Sequence, residues 1–95
     1  MFLGEFVFKS SIVPEPETKE IVRSVVDLLK KRRESLGWSQ RTLAAKAGVD
    51  PKTVSLIERE VRSPTLFTLS LLATALNQPL WKILKEAESA KKSKL

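Results

Sequence analysis

Few side chains in this 95-residue sequence could do covalent chemistry, and their types narrow the field at once. It holds no cysteine and no histidine. That removes thiol nucleophiles, disulfides, the usual zinc ligands and the commonest catalytic base together. The close carboxylate pairs outside the central stretch, Glu15/Glu17 and Glu86/Glu88, fall in segments expected to be solvated. No nucleophile, metal set or glycine-rich phosphate loop accompanies them. An enzyme is therefore the class least supported, and no cofactor, metal or small-molecule ligand is expected. Positive charge is what the chain has in excess: 17 Lys+Arg against 11 Asp+Glu, a formal net charge of +6, and a pI near 9.9. A small basic domain suits a polyanion. Many soluble proteins are basic for other reasons, so the charge gains weight only beside a motif.

Such a motif occupies Trp38 to Arg59, W-S-Q-R-T-L-A-A-K-A-G-V-D-P-K-T-V-S-L-I-E-R. Ser39 is a good N-cap, because its hydroxyl can accept a backbone N–H that the first helical turn leaves unpaired. Leu43, Ala44 and Ala47 recur at helical spacing on one face. Gly48 can enter the left-handed conformation that ends a helix without steric cost. Asp50-Pro51 then restarts the chain with an acidic cap and a proline at the first helical position. Val54 and Ile57 make the apolar face of this second helix, leaving Lys52, Thr53, Ser55 and Leu56 mostly elsewhere. Two short helices joined tightly, the first lined with alanine for close approach, make a helix-turn-helix.

The stretch from about Val22 to Leu84 resembles the Cro and phage-repressor family, the XRE-type helix-turn-helix regulators. The resemblance is carried in order by L-G-W-S-Q, L-A-x-K-A-G-V, T-V-S-x-I-E-R and S-P-T-L-x-T-L-x-x-L-A-x-A-L-N. It implies an all-α fold, a compact five-helix lambda-repressor-like domain, and a sequence-specific regulator that binds double-stranded DNA as a homodimer on a two-fold operator. It also implies site residues. Lys52, Thr53, Ser55 and Leu56 stand where the family contacts bases or flanking phosphates, and Ser39, Gln40, Arg41, Arg62 and Ser63 where it contacts phosphates. Arg33 and Glu58 align with a pair that bridges internally. Three departures stand out. Pro51 and Leu56 cannot make the bidentate hydrogen bonds that read guanine or adenine, so the polar reading set is thin. Glu60 replaces a usual glycine, so the third helix is expected to end differently or run longer. Thr42 replaces a capping-box glutamate, which removes the reciprocal cap. The competing reading is a protein-interaction module, antitoxin-like, that keeps the fold but turns its apolar arm and third helix towards a protein.

The remaining segments position this motif. Residues 1–17 read as an arm: Phe2, Phe6 and Phe8 alternate with Leu3, Glu5, Val7 and Lys9, which allows a short strand. The following S-S-I-V-P-E-P-E reads as extended, its prolines excluding a regular helix. The helix-turn-helix domain spans 18–87. Its first helix is expected from a Thr18 cap to about Leu36, burying Val22, Val25, Val26, Leu29 and Leu36, with Lys30, Lys31, Arg32 and Arg33 in its last turns. A fourth helix, capped by Thr65 or Ser63, turns Leu66, Leu69, Leu72, Ala73 and Leu76 inward and stops at Asn77. A fifth starts at Pro79 with Leu80, Ile83 and Leu84 inside and Trp81 outside. Residues 88–95 read as a fraying basic tail. Trp81, Phe6 and Phe8 are the dimer candidates, since exposed aromatic residues on a small chain usually find a cover. No apolar run approaches the ~18–20 residues of a membrane span, and Glu5 with no basic leader makes a poor signal peptide. A cytoplasmic protein is expected.

Overall fold

The computed structural model describes residues 15–93, with side chains over 19–89. The described residues form five helices and no strand: α1 Glu15–Ser35, α2 Gln40–Ala47, α3 Pro51–Glu58, α4 Leu66–Ala75 and α5 Leu80–Ser93. Helix α2 packs on α3 and α4, while α1 lies against α5 and α3. One core joins them, built from Val25, Val26 and Leu29 of α1, Leu43, Ala44 and Ala47 of α2, and Val54 and Ile57 of α3. Leu72, Ala73 and Leu76 close it on one side, and Ile83 and Ala87 on the other. Among the described residues no helix is long and apolar enough to cross a membrane. Phe2, Phe6 and Phe8, with most of the arm, lie outside the described residues.

Several expectations need correction. Helix α1 begins at Glu15 rather than at Thr18, and Pro16 sits in its first turn. A proline there omits an N–H that would have no helical partner, so it does not break the helix. Leu36 falls one residue past α1 and is 37% exposed, so it leaves the buried stripe. Leu66, the first residue of α4, is 68% exposed, whereas Leu72 and Ala73 further along the helix are buried. Pro79 precedes α5 rather than starting it, and its carbonyl accepts from Lys82 N–H at 3.1 Å. The backbone from Glu88 stays helical to Ser93. Ala87, unremarked in the sequence, is fully buried one turn after Ile83.

The helix ends repeat one device. After α1, α2, α3 and α4 a residue with positive φ turns the chain: Gly37 (74°), Gly48 (74°), Glu60 (63°) and Asn77 (59°). In each case the next N–H reaches back five residues to a helical carbonyl. Trp38 donates to Arg33 (3.1 Å), Val49 to Ala44 (3.0 Å), Val61 to Leu56 (2.9 Å) and Gln78 to Ala73 (2.9 Å). These bonds satisfy carbonyls that a helix end otherwise strands. Glu60 therefore takes the left-handed cap after all, and α3 ends where a glycine would end it. The rest of the motif demands that turn, so the side chain tolerates it.

Two effects oppose each other at Glu60. A left-handed side chain costs roughly 1–2 kcal/mol. The offset is an exposed ion pair, Arg23 Nε to Glu60 Oε1 at 3.0 Å, and such pairs contribute ~0–1 kcal/mol. Glu60→Gly should therefore raise unfolding free energy by about 0.5–1 kcal/mol, seen as a higher urea midpoint at unchanged slope. A lower midpoint would mean that the Arg23 pair outweighs the strain.

Candidate nucleic-acid interface

The turn between α2 and α3 is set by a sequence of local satisfactions. Ser39 has extended backbone (φ −77°, ψ 166°) and its hydroxyl accepts from Thr42 N–H at 3.0 Å. Thr42 answers with its own hydroxyl, 3.0 Å from that of Ser39, so a hydroxyl pair stands where the missing carboxylate would have been. Gly48 ends α2 with its N–H on the Ala44 carbonyl. Asp50 then caps α3: its carboxylate accepts from Lys52 N–H at 2.8 Å and its carbonyl from Thr53 N–H at 2.9 Å. Buried Ala44 and Ala47 give α2 a shallow face, against which Val54 and Ile57 pack.

The angle between the helices is held by one carboxylate. Glu58 accepts from Arg33 Nε at 2.8 Å and from Arg33 Nη2 at 3.0 Å. It accepts a third bond from Gln40 Nε2 at 2.7 Å. Arg33 Nη1 donates to the Trp38 carbonyl at 2.6 Å, just before the cap of α2. Arg33 and Glu58 side chains are 10% and 6% exposed. The bidentate pair therefore sits inside the domain, tying α1 to α3, with Gln40 adding α2.

The other candidates divide by exposure. Lys52 is exposed on the first turn of α3, whereas Thr53, Ser55 and Leu56 are half-buried along it. Arg41 is exposed at the start of α2. Gln40 is half-buried, with its amide nitrogen committed inward to Glu58. Arg62 and Ser63 are exposed in the loop after α3, and Arg62 N–H donates to the Leu56 carbonyl at 3.2 Å. The backbone thus holds that loop against the end of α3. Trp81 is 65% exposed on α5, far along the chain from the motif. The sequence reading missed the Gln40–Glu58 bond and the placement of Lys46 Nζ 4.9 Å over the Trp38 ring. Lys46 lies eight residues past Trp38, a spacing that carries no signal by itself.

A helix-turn-helix family profile matches residues 29–80, the run from within α1 to the first residue of α5. The chain belongs to the XRE-type helix-turn-helix family. It is also similar to the "HTH-type transcriptional regulator SutR" of Escherichia coli (strain K12), with 36% identity over 72 residues. That alignment covers 76% of this chain and 40% of the relative, so the chain spans less than half the relative's length. No solved structure matches the chain significantly. The helix-turn-helix match takes in all of α2, α3 and α4 and also Arg33.

Breaking the ion pair at one end should be costly, because the other charge stays buried without a partner. Arg33→Ala or Glu58→Ala is expected to lower stability by about 3–5 kcal/mol, measured by urea unfolding. The double variant should cost clearly less than the sum of the two. Additive losses would show that each residue acts through separate contacts.

Proposed function

We propose that this chain is a DNA-binding transcriptional regulator that reads a two-fold symmetric operator as a homodimer, with α3 in the major groove. The observation that carries the reading is the arrangement of α3. Its inner side is buried through Val54 and Ile57, while Lys52 stands exposed at its N-terminal end. The major groove of B-DNA admits a helix, and residues near the N-terminus of a recognition helix reach the base edges. Lys52 is the main polar reader, with donors suited to guanine O6 and N7. Thr53 and Ser55 add shorter polar contacts. Leu56 follows Lys52 by four residues and so shares its side of the helix, where it meets thymine methyls rather than donors or acceptors.

Phosphates are the partners of the second set. Arg41 and the N-terminal amides of α2 face the backbone across the groove, with Ser39 and the backbone N–H of Gln40 beside them and Arg62 and Ser63 at the far end of α3. Their contacts set affinity and register without reading sequence. The net charge of +6 steers the chain to DNA in general. A competing reading, in which α3 faces a protein, predicts no steep dependence of duplex binding on salt. A DNA-binding chain shows log affinity falling by about 0.9 per phosphate neutralised for each tenfold rise in salt.

The two contact classes separate by mutation. Lys52→Ala should cost about 1–3 kcal/mol of discrimination, read as a lower ratio of operator to random-duplex binding in titrations. Arg41→Ala should lower both affinities alike and reduce the salt slope by about 1. An unchanged ratio for Lys52→Ala would move base reading to other residues or to DNA shape.

The proposed dimer uses the surface around Trp81, an aromatic residue left 65% exposed on α5, together with Phe6 and Phe8 of the arm. Trp81→Ala should shift sedimentation of the full chain towards monomer at micromolar concentration. A sedimentation coefficient identical to the parent's would remove Trp81 from the interface.

A further inference from the structure

Ser63 to Trp81 is the longest stretch of the chain without a charged side chain. Helix α4 lies wholly within it, while each of the other four described helices carries charge. It has two sides that avoid charge. Leu69, Leu72, Ala73 and Leu76 belong to the core. Phe67, Ser70, Leu71 and Thr74 follow the i, i+3, i+4, i+7 spacing of a second stripe, on the opposite side of the helix. Phe67 is 72% exposed there, Ser70 and Thr74 are exposed and Leu71 is half-buried. A helix without a charged face is ordinarily covered all round. Among the described residues the outer stripe of α4 stays open.

Charge and size both point to a second copy of this chain as the cover. Two chains of net charge +6 repel where their charged surfaces meet, so a surface without charge is where they can approach. A partner of opposite charge would be met by lysine or arginine, which this stretch lacks. The stripe is also bulky at one end, at Phe67, and small at Ser70 and Thr74. Across a two-fold axis residue i meets j and j meets i. An antiparallel pair of α4 helices therefore lays Phe67 over Thr74 of the partner subunit, and the reverse. The two positions are ~10 Å apart along the helix at 1.5 Å per residue, and the axis passes midway, beside Ser70 and Leu71. Serine and threonine hydroxyls can bond a carbonyl of their own helix, so covering them strands no donor. Trp81 ends the uncharged stretch and extends the surface past α4. At ~150–250 Å² per aromatic side chain, with 72% and 65% exposed, Phe67 and Trp81 alone offer about a third of the ~800 Å² that each partner buries in a standard interface.

We propose that the outer face of α4 packs antiparallel on the same face of a second copy, with the two-fold axis at Ser70 and Leu71. This names the central contact of the homodimer in the proposed function and rests on that reading. Helix α2 packs on both α3 and α4, so clamping the two α4 helices together fixes the separation of the two α3 helices as well.

A position on a two-fold axis meets itself, which gives the test a signature of its own. Ser70→Glu and Ser70→Lys each set two like charges across the axis. In the full chain each should weaken self-association about tenfold or more by sedimentation equilibrium, with the circular dichroism of the parent retained. An equimolar mixture of the two variants should recover it, because the mixed pair sets Glu against Lys. The chain lacks cysteine, so Ser70→Cys reports the same contact by a route that adds no charge. Disulfides close only when Cα atoms come within ~7 Å, and mild oxidation should link Ser70→Cys chains at least tenfold faster than Glu86→Cys chains. A parent dimer that both charged variants keep, or a Ser70→Cys rate no faster than the Glu86→Cys rate, would overturn this contact and leave the homodimer to another surface. Weakening by both variants without recovery on mixing would also overturn it. A parent chain monomeric at high micromolar concentration would overturn the contact and the homodimer together, in favour of a different protein on α4. DNA binding is judged separately, by its salt slope.

Discussion

The carboxylate of Glu58 is the constraint on which the motif depends. It gathers donors from two other helices: both nitrogens of an Arg33 fork from α1 and the amide of Gln40 from α2. Taking the two charges out of water costs several kcal/mol per ion, and the pair recovers this only when geometry is good and the remaining donors are used. Both conditions hold. The arginine is bidentate, and its spare Nη1 goes to the Trp38 carbonyl. A lysine at position 33 would supply a point charge but neither the fork nor the fourth bond. Such a pair is directional where the apolar core is not. Val25, Leu29, Val54 and Ile57 could bury themselves at several helix angles, whereas three hydrogen bonds on one carboxylate allow few.

That constraint works because the helices around it are short and stopped sharply. Helices of eight residues such as α2 and α3 do not persist alone in water. Each is defined by its cap and its stop, and the same stop recurs at Gly37, Gly48, Glu60 and Asn77. The residues grade from free to strained: glycine has no Cβ to clash, asparagine tolerates the left-handed region, and glutamate does so least. Glu60 lies closest in sequence to Glu58, so strain is accepted where the path of the chain out of α3 matters most for the loop that follows.

What could be read from the sequence follows from this division between local and distant causes. The helix boundaries around the motif were legible because Ser39, Gly48, Asp50-Pro51 and Thr65 act on neighbours two to four residues away. Periodicity is silent on where cover ends, as at Leu36 and Leu66: apolar spacing says which side faces inward, not whether another helix reaches that far. Pro16 breaks a helix interior but not a first turn, so its residue type alone does not say which role it has. Ala87 was hidden among Glu86, Glu88 and Ser89, whose polarity suggested a tail. The Arg33–Glu58 pairing came from family resemblance, since 25 residues separate them. The Gln40–Glu58 bond spans 18 residues and no local rule could announce it. That bond also alters the character of Gln40, whose amide nitrogen is already committed before any ligand arrives.

The same accounting explains why so few residues of α3 are available to read anything. It has eight positions. Val54 and Ile57 go to the core, Glu58 to the ion pair, and Pro51 to starting the helix. Four remain: Lys52, Thr53, Ser55 and Leu56. Lys52 is the exposed member, the other three being half-buried. The Leu56 carbonyl already accepts from Val61 and Arg62, so its backbone is fixed by the turn and its side chain alone stays open to a ligand. A helix that spends half its residues on being placed has the other half for outside contacts. Here that half holds one long donor, two hydroxyls and one aliphatic chain. Under the proposed function, substitutions that retarget the protein fall at positions 52, 53, 55 and 56, because any other change in α3 alters where the helix sits first.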